Sequence, residues 1–150
     1  MYKHILVAVD DSPTSTRTIG EAVALAKGSN AELTIVHAVD EALFSHFTRT
    51  TLGSRDAVQS ALIKEGQAVL DGAVAIAQAA GATPKAQLLT SEHLSTSEQI
   101  VHAVKDLHAD LLVVGSHGRR GVQRIFLGSV AERLLRKVTI SAMIVRGIDA

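Results

Sequence analysis

The chain has 150 residues with 15 basic and 15 acidic side chains, so its formal net charge is zero and nothing global points to nucleic acid or a membrane surface. It has no cysteine, which excludes disulfides, thiolate metal sites and thiol catalysis. Aromatic residues make up only 3% against 47% hydrophobic, so the core has to be built from Val, Ile, Leu and Ala.

The length suits one domain over residues 1–150. The first apolar run, His4–Asp10 (HILVAVD), predicts a buried strand. It is too short for a secretory signal and acidic residues follow at once, so the expected location is the cytoplasm. Ser15–Lys27 carries Ile19, Ala22, Val23 and Ala26 on one helical face and ends at the Gly-Ser-Asn cluster Gly28–Asn30. A second strand follows at Glu32–Val39. Asp40–Arg55, with Phe44, His46, Phe47 and Arg49, is the one long irregular stretch and is expected to be a loop or a flap over a site. Asp56–Ala80 repeats Val58, Leu62, Val69, Ala73, Ile76 and Ala77 at helical spacing, and Gly81 stops it. Then come a strand at Ala86–Thr90, a helix at Ser97–Leu107 (Ile100, Val104, Leu107) and a strand at Asp110–Gly115. The last helix is Ser129–Lys137, with Val130, Leu134 and Lys137 in phase and two cations at its C-terminal end; the last strand is Ala142–Arg146. No run approaches the roughly 18 apolar residues of a membrane span. The order βαβαβαβαβ predicts an α/β fold, an open five-stranded parallel sheet with right-handed crossovers.

Open α/β sheets bind ligands beyond the carboxyl ends of their strands, which nominates Asp10–Ser12, Ala38–Glu41, Thr90–His93 and Gly115–Ser129. The last segment, GSHGRRGVQRIFLGS, is the most informative. Gly115 permits positive φ and close backbone approach. Gly118 and Gly121 allow backbone amides to turn inward around an anion. Gly128-Ser129 opens a helix whose free N–H groups favour a phosphate, with Ser129 as its cap or as a hydroxyl donor. Arg119, Arg120 and Arg124 add positive charge. The plainer alternative is a glycine-rich turn before an ordinary serine N-cap. The dinucleotide fingerprint is excluded because DDSPTS after the first strand has no glycine, and the P-loop because Gly128-Ser129 lacks the lysine.

With Gly115, two residues, Gly118, nine residues, then Gly128 and Ser129, the chain resembles the nucleotide-binding members of the universal stress protein family, whose pattern is Gly-x2-Gly-x9-Gly-[Ser/Thr]. ILVAVDDS, VHAVDE and GSVAERLLRKV extend the resemblance over essentially the whole chain; Ser141-Ala142-Met143 departs from it where many members have proline. The resemblance implies strand order 3-2-1-4-5 with helices on both faces, a Rossmann-like, adenine nucleotide alpha hydrolase-like fold. It implies bound ATP, ADP or AMP, with or without Mg2+. Asp10 and the backbone of Ala38 are then candidates for the adenine end, lined by Val9 and Ser12. Gly115, Gly118, Gly128, Ser129 and Val130 are candidates for ribose and phosphates, with Ser116 and His117 in the same turn. It also implies a homodimer through strand 141–146, whose apolar edge a twofold partner would cover.

Adjacent Asp10 and Asp11 also suit a receiver domain, but the places for its third acid and its lysine read TSEH and VRG. The seven histidines show no metal-ligand spacing. His4 and His37 fall in strands and read as structural, and His102 and His108 as solvated. His117 either bonds a phosphate or faces solvent. No base stands at a motif-defined position, so binding is expected to be the function, with at most slow ATP hydrolysis. Three functions follow: a nucleotide-binding sensor acting on an unknown protein partner, a weak ATPase, and a nucleotide-free dimeric scaffold.

Overall fold

The structure, a computed structural model, describes residues 1–40, 55–117 and 127–147. The expected flap over 41–54 lies outside the described residues, as do Gly118, Arg119, Arg120, Gly121, Arg124, Ile125 and Phe126. Nine elements alternate: β1 (His4–Ala8), α1 (Thr14–Ser29), β2 (Glu32–Ala38), α2 (Arg55–Ala79), β3 (Lys85–Leu89), α3 (Thr96–Asp106), β4 (Leu111–Gly115), α4 (Ser129–Lys137) and β5 (Ser141–Val145). The strands form one parallel sheet in the order β3-β2-β1-β4-β5.

Strand side chains alternate between two cores because their period is two. Ile5, Val7, Leu33, Ile35, Leu111 and Val113 point to one face, where they meet Ile19, Ala22, Val23 and Ala26 of α1 and Leu70, Ala73 and Ala77 of α2. Leu6, Val36, Leu112 and Val114 point to the other, against Ile100, Ala103 and Val104 of α3 and Ala131 and Leu134 of α4. This two-sided burial is why the strands read as continuous apolar runs. Among the described residues no helix is long and apolar enough to cross a membrane.

Helix ends follow the punctuation of the sequence. Asn30 takes the left-handed conformation (φ 54°) and closes α1 through bonds from its N–H to the Ala26 and Lys27 carbonyls. Gly81 does the same work after α2 with φ 90°, and Lys27 Nζ reaches the Ala80 carbonyl at 2.9 Å. Two packing expectations need correction. On α2 the buried residues include Leu70 and Gly66, which the pattern did not single out. Gly66 is there for space: a Cβ would lie 3.0 Å from Val39 Cγ2 and 3.2 Å from Leu88 Cδ1, so the helix rests close on the sheet. On α4 the buried stripe is Ala131 and Leu134, while Val130 and Lys137 are exposed. Leu134 is buried as expected, but Ala131 rather than Val130 shares its face, and Val130 turns toward the cavity beyond the strand ends.

The two strand histidines are structural. His4 Nε2 lies 2.8 Å from Thr34 Oγ1. The His37 ring contacts the Val9 carbonyl at 2.8 Å; a carbonyl only accepts, so Nδ1 carries the proton. His102 and His108 are exposed.

Candidate functional site

β1 and β4 are neighbours with Ala8 opposite Val114, yet the chain leaves β1 for β2 on the other side. Strand order reverses there, and a crevice opens beyond the strand ends. A cavity of about 630 Å³ occupies it. Its lining includes Val9, Asp10, Ser12, Ala38, Gly115, Ser116, His117, Gly128, Ser129 and Val130. Gly118 and the other nominated loop residues Arg119, Arg120, Gly121 and Arg124 lie outside the described set.

At the β1 end, the chain leaves the sheet after Ala8 rather than at Asp10. Val9 N still bonds the Val36 carbonyl at 2.9 Å, but Asp10 turns its polar groups to the first turn of α1. Its Oδ1 accepts the Ser12 N–H at 2.9 Å and the Ser15 hydroxyl at 3.1 Å. The same hydroxyl lies 2.8 Å from the Asp10 carbonyl and 3.2 Å from its N–H. An ionised carboxylate is acceptor-only, so this end of the cavity calls for a donor.

At the β4 end, Ser116 N–H donates to the Val145 carbonyl at 2.8 Å, and Gly128 N–H donates to the Ser116 carbonyl at 2.6 Å. These bonds hold the start of α4 against the end of β4. The N-cap is Gly128 (φ −63°, ψ 154°), without a side-chain capping bond. Ser129 is therefore the first helical residue and does not cap, which corrects one of its two expected roles. The first N–H groups of α4 have no capping side chain and carry the positive end of the helix dipole. Gly115 also needs correction, since its φ is not positive. Glycine is required there for close approach, because a Cβ would lie 3.2 Å from Thr14 Cγ2 and 3.3 Å from Thr18 Oγ1. Ser116 Oγ lies 3.0 Å from His117 Nδ1, which orients the ring at the cavity edge.

Sequence reasoning missed part of the wall. Thr14, Ser15 and Thr18 from α1, His37 from β2, Ser95, Thr96 and Ser97 from the start of α3, and Arg133 from α4 also line the cavity. Ser95 starts α3 with a capping box: its side chain accepts the Glu98 N–H while Glu98 accepts the Ser95 N–H. Hydrogen bonding from the Ser95 side chain, and then from its backbone N–H, holds the Glu98 carboxyl below its ordinary value. The Ser95-x2-Glu98 spacing and the position of Arg133 one turn after Ser129 were readable signals. Among the described residues, no group of three or more acid or histidine side chains is placed to hold a metal ion.

The profile of the universal stress protein family matches residues 1–146. The chain belongs to the universal stress protein family. It is similar to universal stress protein MJ0531 of Methanocaldococcus jannaschii, with 30% identity over 146 residues, 97% of this chain and 83% of that one. Among solved structures, this universal stress protein superposes on hypothetical protein MJ0577 with a TM-score of 0.83 at 23% identity, covering 100% of this chain and 99% of the other. That likeness shows the fold. A universal stress protein in complex with cAMP is similar at 27% identity, with a TM-score of 0.72 over 96% of this chain and 97% of the other.

Proposed function

We propose that this universal stress protein binds an adenine nucleotide, ATP, ADP or AMP, and reports the bound state to a protein partner. One observation carries this reading: a single cavity joins an acceptor-only carboxylate at Asp10 to the uncapped helix start at Ser129 and Val130, held in place by the Gly128 N–H bond to Ser116. A nucleotide has the complementary polarity, with N–H and O–H donors on its nucleoside half and anionic oxygens on the other. Adenine goes to Val9, Asp10, Ser12 and the Ala38 backbone. Ribose and phosphates go to Gly115, Ser116, His117, Gly118, Gly128, Ser129 and the Val130 amide. Arg133, which has no ion pair among the described residues, adds positive charge to the α4 wall. The similar universal stress protein in complex with cAMP supports the ligand class. Mg2+ enters with the triphosphate as part of the ligand.

The protein acts as a homodimer through the strand at 141–146. In support, among the described residues β5 is bonded on one side only, by β4, and offers Ala142, Met143 and Ile144 half-buried at the sheet edge.

Calorimetric titration with ATP, ADP and AMP in the presence of Mg2+ tests the reading. Micromolar binding of at least one of the three, lost in Gly118→Val/Ser129→Ala with the fold intact, is expected; no binding of any of the three refutes it. Sedimentation at micromolar concentration gives a dimer if the second part holds, and a monomer overturns it.

A further inference from the structure

We infer that Ser15 is a positioning residue for the ligand, fixing the Asp10 carboxylate so that its Oδ2 is the acceptor offered to the cavity and thereby selecting ligands with an N–H or O–H donor on the nucleoside half. The inference rests on the nucleotide reading above and goes beyond it, since it concerns a residue outside the glycine pattern.

One hydroxyl grips three atoms of one residue. Ser15 Oγ lies 2.8 Å from Asp10 O, 3.1 Å from Asp10 Oδ1 and 3.2 Å from Asp10 N. A hydroxyl has one proton and two lone pairs. The proton is therefore shared between the two oxygens, while the oxygen accepts from the N–H. The Ser12 N–H adds a second donor to Oδ1 at 2.9 Å. Oδ1 is thereby occupied twice, and no described group bonds Oδ2. Asp10 is half-buried and lines the cavity, so Oδ2 is the acceptor left for a ligand.

Ser15 itself sits in the first turn of α1, where the bond from its N–H to the Ser12 carbonyl at 3.1 Å sets its backbone. The helix thus aims the carboxylate of a strand end. With Ser15 removed, the Ser12 bond alone holds Oδ1, and the carboxylate regains torsional freedom. A site that hydrogen-bonds a ligand donor rejects the analogue lacking it only while the acceptor is fixed. The Ser15 hydroxyl bonds Asp10, at the end of the cavity away from the start of α4.

The test compares full-length wild type, Ser15→Ala and Ser15→Thr by calorimetry. The ligands are ATP, the purine-riboside triphosphate that lacks only the 6-amino group, 2′-deoxy-ATP and 3′-deoxy-ATP. Wild type should disfavour one analogue by about tenfold, and that analogue identifies the donor facing Asp10 as base or sugar. Ser15→Ala should cut that ratio to under about threefold, and Ser15→Thr, which keeps the hydroxyl, should restore it. If alanine destabilises the fold, Ser15→Cys, nearly isosteric and a poor donor, gives the same comparison. The inference is overturned by a ratio unchanged in the variant, by uniform weakening of all four ligands, or by a wild type that binds ATP without discriminating. A wild type that binds none of the four instead refutes the nucleotide reading, and this inference with it.

Discussion

Gly115→Ala probes the junction between the sheet and the candidate site. An added Cβ would lie 3.2 Å from Thr14 Cγ2, 3.3 Å from Thr18 Oγ1 and 3.6 Å from the His117 carbonyl. Ordinary carbon contacts sit at about 3.5–4.0 Å, so the first two crowd. Two effects oppose each other. Gly115 is not at positive φ, so alanine fits its backbone and gains about 0.4–1 kcal/mol by restricting the unfolded chain. Overpacking costs about 1–3 kcal/mol. The crowding wins because Thr18 cannot move freely: its hydroxyl donates to the Thr14 carbonyl at 2.9 Å within α1. The net loss is about 1 kcal/mol, or a fall in Tm of about 2–4 °C for a chain of this size. Thr14→Ser removes the crowding methyl and keeps the hydroxyl, so the double variant should recover at least half of the loss. Urea unfolding of the four proteins closes a double-mutant cycle. A Gly115→Ala protein as stable as wild type, or a coupling within about 0.3 kcal/mol of zero, would refute the close-approach account of this glycine.

Asp110 provides a pH prediction at the opposite end of the sheet. The backbone N–H of His4 and then that of Lys3, at 3.0 and 2.9 Å, hold its carboxyl below the ordinary 3.8. A lowered folded value means stability that is full above the ordinary value and is lost as pH falls through the folded one. Asp110→Asn should therefore cost about 0.5–1 kcal/mol at pH 7, discounted for partial exposure, and the gap from wild type should close in urea titrations below that range; a gap that widens with acid refutes the assignment. Two α2 glycines should respond in opposite directions. Gly72 has nothing within 4 Å of an added Cβ, so Gly72→Ala should raise stability by about 0.5–1 kcal/mol. Gly66→Ala should lower it because Val39 and Leu88 are already in contact. Thermal melts of both variants decide, and a stabilised Gly66→Ala would sink the packing argument.

Sequence legibility tracked how local each determinant is. β1, β2 and β4 were plain because strands buried on both faces concentrate Val, Ile and Leu. Their ends moved by one or two residues where side chains captured the backbone, as Ser15 does at Asp10. The glycine spacing located Gly115, Gly128 and Ser129, but it could not say which glycine is needed for space and which serves as a cap. That depends on Thr14 and Thr18, about 100 residues away in the chain and in contact only after the sheet forms. On α4 Leu134 was read correctly and Val130 was not, for a related reason: Val130 and Ala131 are both apolar, and only packing in the core selects Ala131. Ser15 and His37 carry no motif of their own, and the signals at Ser95 and Arg133 mark helix positions rather than a cavity. They reach the cavity because three helices begin around one crevice.

That convergence bears on the direction of the proposed ligand. A phosphate alone would be served equally by any uncapped helix start, and α3 is not one, since Ser95 and Glu98 close its capping box. α1 has no side-chain capping bond either, but its first turn is spent on Asp10 through Ser15, and it brings a carboxylate to the crevice. Among the described helix starts, α4 combines an uncapped start with a cation, Arg133, on the cavity wall. An anionic group is thus repelled at β1 and attracted at α4. The same polarity predicts one binding orientation, with the nucleoside at Asp10 and the charged end at Ser129. Exchanging the two ends would place phosphate oxygens against Oδ2 of Asp10, two acceptors without a proton between them.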